Sequence, residues 1–206
     1  MLEFFIAALV IGIAPGPDNL FVLAQSATYG ARLGFCIILG LCTGIAIHTC
    51  LLVAGVSALI AASPTAFFVI QCLGAAYLLY LAYKSFGVKA GVVQMSGDSR
   101  SESGMTSARS LYMRGIIMNL TNPKVILFVL SLIPPAVRLD RPIHPSLQMA
   151  IFGGEFILAT MIVFGSIALL AGTVKKFLLT SPKANRNLNW FSGAVFVFLA
   201  VALFMV

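Results

Sequence analysis

The sequence predicts an all-α polytopic membrane protein with six transmembrane helices arranged as a 3+3 inverted repeat. Three observations carry that expectation. The 206 residues are 60% hydrophobic and only 9% charged, with a mean hydropathy of +1.04, too little polar surface to coat a water-soluble globule. Six stretches approach the roughly 20 apolar residues that cross a bilayer as helix. One long polar segment divides them three and three, with matching motifs on either side.

The first span runs from Leu2 to about Tyr29, the second from Leu33 to Ala61 and the third from Thr65 to Phe86. The fourth covers Ser110 to Pro135, the fifth Leu147 to Thr173, and the short sixth Trp190 to Val206. Strands of a membrane barrel would alternate polar and apolar residues. Runs such as "VFVFLAVALFMV" do not, so helices are expected. Residues 87–109, rich in Gly and Ser with mixed charge, read as a flexible linker. The whole is one transmembrane domain over 1–206, with repeat 1 at about 1–86 and repeat 2 at about 110–206.

Net charge is +7, yet its distribution points to topology rather than to nucleic acid. Connections one, three and five hold Arg32, then Lys84, Lys89, Arg100, Arg109 and Arg114, then Lys175, Lys176, Lys183 and Arg186. Only Arg138 and Arg141 fall in the even connections. The positive-inside rule makes the odd connections cytoplasmic and puts both termini outside. "MLEFF" lacks a basic n-region, so the first span is expected to be retained rather than cleaved as a signal. Cys36, Cys42, Cys50 and Cys72 lie within spans without a CxxC pair and read as packing residues.

The repeat is visible in detail. In the first span Pro17 is followed by Asp18 and then by "LFVL" at Leu20–Leu23; in the fourth, Pro123 is followed by Lys124 and then by "LFVL" at Leu127–Leu130. The third and sixth spans share a Gly-Ala start at Gly74 and Gly193. Three spans per repeat is odd, so the second repeat enters the membrane in the opposite sense, the plan of many secondary transporters.

Proline inside a helix removes a donor and frees the carbonyl four residues earlier. In lipid such groups are tolerated only where they face protein or a wet cavity. Pro15-Gly16-Pro17 and Asn122-Pro123 are therefore expected to split the first and fourth spans into half-helices. Their amide-rich ends favour anions and their carbonyl ends favour cations, the two groups of a free amino acid.

Asp18, Lys124 and Glu155 lie deep in spans, must face the interior and are expected to meet. With Lys124 charged the trio leaves one carboxylate surplus, to hold a proton or a substrate ammonium. For Asp18 the competing structural role is support of a half-helix N-terminus, and for Lys124 it is a buried partner to a carboxylate. His48 reads as interhelical hydrogen bonding or proton handling. Asn19 and Asn122, with Asn119 and Thr121, serve freed backbone groups as readily as a ligand. Gly40 and Gly44 form a GxxxG that admits close packing or a homodimer.

The stretches "APGPDNLFVLAQSATYGARLGF", "LGAAYLLYLAYKSF" and "GIIMNLTNPKVILFVLSLIP" resemble the LysE/RhtB family of amino-acid exporters through essentially the whole chain. The resemblance implies export of amino acids or close derivatives, of the homoserine, threonine or neutral amino-acid type, across a bacterial inner membrane, driven by the proton-motive force. Its motifs map onto Pro15, Gly16, Pro17, Asp18 and Asn19, onto Asn122, Pro123 and Lys124, and onto Glu155.

Proton antiport by alternating access is thus the expected mechanism, with no enzyme constellation, cofactor or metal. A metal or inorganic-ion exporter is the alternative, made awkward by Lys124 among two carboxylates and one His. A transmembrane electron carrier would need cysteines beside the breaks, and the first and fourth spans contain none.

Overall fold

Proline sets the ends of most helices in the computed structural model, which describes residues 2–14, 16–62, 64–87, 107–138, 140, 142–171, 173, 182–202 and 204. Pro15, Lys89, Arg100, Arg141, Lys175, Lys176 and linker residues 88–106 lie outside the described residues. The helices are α1 (Leu2–Ile13), α2 (Pro17–Tyr29), α3 (Ala31–Ala62), α4 (Pro64–Gly87), α5 (Ala108–Thr121), α6 (Pro123–Ala136), α7 (Pro145–Leu169) and α8 (Pro182–Ala202). No strand occurs among the described residues.

Both expected breaks are present. α1 and α2 meet at 63°, and α5 and α6 at 57°. In each pair a proline begins the second half-helix, where its missing N–H costs nothing. Asn122 serves both sides of its break, as C-cap of α5 and as N-cap of α6, accepting from Lys124 N at 3.0 Å. α2 and α3 join through Gly30 alone, whose φ of +89° lets one residue reverse the chain.

Among the described residues two helices are long and apolar enough to cross a bilayer, Ala31–Gly55 within α3 and Pro145–Leu169, and counting each bent pair as one span gives up to four. The expected count of six extends past these and rests on α4 and α8, which pack against each other. The helix of the sixth stretch begins at Pro182 rather than near Trp190, because "KANRNLN" is polar but contains no breaker. Hydropathy locates the apolar part of a helix, not its start. α7 ends at Leu169, short of the expected Thr173.

α3 lies at the centre, packed on α5 and α7 with α2 alongside. Burying apolar surface drives little association in lipid, so close backbone approach matters more. α3 and α5 cross glycine on glycine: a methyl at Gly40 would meet Gly115 Cα at 3.0 Å, and one at Gly115 would meet Gly40 Cα at 3.1 Å. A methyl at Gly44 would strike the Asn119 side chain at 2.6 Å. The GxxxG face is therefore filled by α5 of the same chain and offers no surface to a second copy.

Two apolar clusters flank the breaks. One gathers Phe4, Phe128, Phe152 and Phe156; the other gathers Val22, Ile37, Ile38, Leu41 and Phe164. At the loop leading to α7, Gln148 donates to the Arg138 and Ile143 carbonyls, both at 2.8 Å, and accepts from Arg138 N at 3.0 Å.

Candidate functional site

Each break frees carbonyls, and side chains from both halves of the chain reach several of them. Pro15 has no N–H for the Ile11 carbonyl, and the break strands Gly12 and Ala14 as well. Lys124 reaches across from α6 and donates through Nζ to Ile11 O and Ala14 O, both at 3.1 Å. Asn19 Nδ2 donates to Gly12 O at 2.7 Å. At the other break the Asn119 carbonyl, which Pro123 cannot serve, accepts from Asn122 N at 3.1 Å, and His48 Nε2 stands 3.5 Å from the same oxygen.

The two breaks are also joined directly. Asn122 Nδ2 donates to Asp18 Oδ2 at 2.5 Å, while its Oδ1 caps α6. Asp18 sits in the first turn of α2, where the helix dipole favours a carboxylate. Lys124 is matched to backbone carbonyls rather than to a carboxylate, so the carboxylate pairing expected for it gives way to a carbonyl clamp. Asp18, Asn19, Asn119, Asn122 and Lys124 are all buried.

Several polar atoms in this knot remain unpaired. Asp18 Oδ1, Asn19 Oδ1 and Asn119 Oδ1 are buried without a hydrogen-bond partner. Buried acceptors of this kind are costly unless something supplies a donor. Lys124 has three N–H donors and uses two on carbonyls. Unmet acceptors thus stand near one unspent cationic donor.

Between them lies a small cavity. Its polar wall is Asp18, Asn119, Lys124 and Thr160; Ile11, Leu41, Val125, Phe156 and Phe164 complete most of the rest. The remaining space holds about one or two waters rather than an amino acid. Gly16 lies beside it, where a methyl would come within 3.3 Å of Lys124 Nζ. Any side chain here would press on the cation.

The structure brings together Asp18, Asn19, Asn122 and Lys124, with Gly16, Pro17 and Pro123 forming the breaks and His48 behind Asn119. Glu155 is separate: half-buried on α7, it does not line the cavity, and its Oε2 has no hydrogen-bond partner. Its neighbour Phe156 takes the inward position instead. Sequence reasoning passed over Thr160, Phe156, Phe164 and Leu41. The available signal was the spacing of four from Phe156 to Thr160 to Phe164, which sets one helix face. The cysteines are free thiols, and none lines the cavity.

Two broken helices that complete each other beside a small cavity, apolar apart from Asp18, Asn119, Lys124 and Thr160, in a bundle that holds helices of bilayer length, have the form of a membrane translocator. The chain belongs to the LysE type translocator family, whose match covers residues 9–206. It is 30% identical over 200 residues to the leucine efflux protein of Salmonella choleraesuis (strain SC-B67), spanning 97% of this chain and 92% of that protein. It is 32% identical over 180 residues to the uncharacterized membrane protein YrhP of Bacillus subtilis (strain 168), spanning 85% and 84%. An uncharacterized membrane protein of Vibrio cholerae serotype O1 is 29% identical over 196 residues, spanning 95% and 92%. No solved structure matches the chain.

Proposed function

We propose that this protein is a secondary active exporter of amino acids or close derivatives, driven by proton antiport across a bacterial inner membrane. One observation carries the proposal. Lys124 and Asn122 of the second half complete the break of the first, and around that junction lie unpaired acceptors and one spare cationic donor. Those are the partners that the ammonium and carboxylate of a zwitterion require. The leucine efflux relative supports the same class of cargo.

In the proposed cycle the two halves, three spans each and oppositely oriented, rock about the site. Cargo arrives from the cytoplasm and places its ammonium on Asp18 and its carboxylate toward Lys124. Outside, a proton takes the ammonium's place on Asp18, so that the return step does not bury an unpaired carboxylate. The water-sized cavity is then an occluded state, and opening to either side parts α1–α2 from α5–α6. Asn122 must release Asp18 or follow it, which makes their hydrogen bond part of the moving seam. Glu155, outside the cavity, is proposed to act on the proton path rather than on cargo.

Inverted membrane vesicles test this, because export appears there as uptake. Saturable accumulation of labelled threonine or leucine under an imposed proton gradient, abolished by a protonophore, is the expected result. Accumulation indifferent to the protonophore would remove proton coupling, and no uptake of any amino acid by folded protein would remove the function.

A further inference from the structure

The two ends of the site are closed very differently. α2 and α5 meet on one side of the breaks, and α1 and α6 meet on the other. On the α1–α6 side Phe128 is fully buried, with ring centroids 5.6 Å from Phe4 and 4.8 Å from Phe156, and Phe4 in turn stands 5.0 Å from Phe152. Phe128 belongs to the repeated "LFVL" tetrapeptide, and its counterpart in the first half is Phe21 on α2. Phe21 is only half-buried, and its ring face carries a cation: the Arg114 guanidinium of α5 lies 4.8 Å from the ring centroid. Two equivalent phenylalanines thus stand on opposite sides of the site, one inside a stack of rings and one under a single arginine.

The surroundings of Phe21 are those of a passage rather than of a core. Asp18, Phe21 and Gln25 are spaced by three and four residues and share one face of α2. Asp18 lines the cavity, and Gln25 Oε1 is buried without a hydrogen-bond partner, so the ring interrupts a polar track that continues beyond it. Arg114 is exposed, lies inside the fourth span and has no hydrogen bond or ion pair among the described residues. A cation in a span either snorkels to the interface or faces a wet passage. Arg114 reaches across the α2–α5 seam to a ring of the other half. Parting that seam gives up one cation–π contact and frees a guanidinium that water can solvate, whereas parting α1 from α6 exposes buried phenyl rings to water.

Resting on the alternating-access reading above, we infer that Phe21 and Arg114 form the gate on the α2–α5 side of the cavity, the cytoplasmic side by charge bias, and that it opens more readily than the aromatic stack opposite. Phe21 is the barrier and Arg114 its latch. Arg114 touches no part of the cavity wall and acts through the ring, so it is a positioning residue rather than a cargo ligand. The occluded state is thereby biased to open inward.

Access of a thiol reagent to the cavity tests the gate without relying on transport. Thr160→Cys places a thiol in the cavity wall of a full-length protein whose four native cysteines are replaced by alanine. A membrane-impermeant thiol reagent is applied to inverted vesicles, cytoplasmic face out, and to right-side-out vesicles. Arg114→Gln is expected to raise the labelling rate in inverted vesicles about 2- to 5-fold, the worth of one exposed cation–π contact, and to leave the rate in right-side-out vesicles unchanged. Phe21→Ala raises it further from the same face, and Phe21→Trp, which keeps a ring under the guanidinium, holds it near the parent value. Arg109→Gln removes the same charge from an exposed position on the same helix and is expected to change neither rate. Because Arg114 is exposed, its replacement leaves the buried core intact and keeps the test decisive should Phe21→Ala fail to fold. No rise in Arg114→Gln, an equal rise from both faces, or a matching rise in Arg109→Gln would overturn the gate. Labelling needs no cargo, so a failed uptake assay would remove the amino-acid reading and leave the gate standing.

Discussion

Lys124 illustrates how a charged side chain earns its place in an apolar span. Its Nζ closes two carbonyls that the first break opens, so removing it leaves Ile11 O and Ala14 O buried and unpaired. Each such loss costs about 1 to 3 kcal/mol. Lys124→Met is therefore expected to lower the thermal midpoint of the purified protein in detergent clearly, while Lys84→Met, at an exposed position, leaves it nearly unchanged. Equal midpoints for the two variants would argue against the clamp. Asp18 and Lys124 were legible in the sequence because a charge deep in an apolar span has few harmless places to go. Thr160 was not, because a hydroxyl in a membrane helix usually bonds its own backbone and its place in the cavity wall leaves no local trace in sequence. Glu155 shows the converse: depth and charge marked it, but the helix face it occupies keeps it out of the cavity.

The elements were legible to the extent that proline and glycine wrote them. Both breaks fall where the prolines place them, and α3 and α4 begin and end within two residues of the expected spans. The start of α8 was hidden, since a polar helical turn outside the apolar stretch carries no hydropathy signal. Partner choice was hidden too. Gly40 and Gly44 promised close packing, but only the fold reveals α5 as the partner, through Gly115. The crossing predicts an asymmetry among glycines. Gly115→Ala puts a methyl into the backbone of α3 and is expected to reduce the yield of folded, monodisperse protein severalfold. Gly154→Ala, where a methyl meets nothing within 4 Å, is expected to be neutral or slightly stabilising, since Ala outranks Gly in a helix by about 1 kcal/mol. Equal tolerance at both positions would contradict the tight α3–α5 contact.

Over the whole molecule the proposal turns on two halves of opposite orientation sharing one site. Charge bias in the connections predicts that a reporter fused within residues 88–106 is cytoplasmic and that one fused at the carboxyl terminus is external. Two fusions reporting the reverse would invert the topology and with it the direction of transport. An expected sense of insertion is readable in Lys and Arg, because cytoplasmic loops retain them. The junction between the halves is not, because a hydrogen bond between residues 104 positions apart, such as Asn122 to Asp18, leaves no local trace in sequence. That junction is also where proton and cargo are proposed to compete.

The most direct test compares the parent protein with Asp18→Asn, at matched expression, in two assays on the same inverted vesicles. One is accumulation of labelled threonine or leucine under a proton gradient; the other is exchange of labelled for unlabelled amino acid without a gradient. Asparagine can still accept from Asn122 but cannot carry the proton. Gradient-driven accumulation is therefore expected to fall at least about tenfold, consistent with loss of a positioned proton-transfer group, while measurable exchange persists. Full gradient-driven accumulation by Asp18→Asn would contradict the assignment of the coupling proton to this carboxylate.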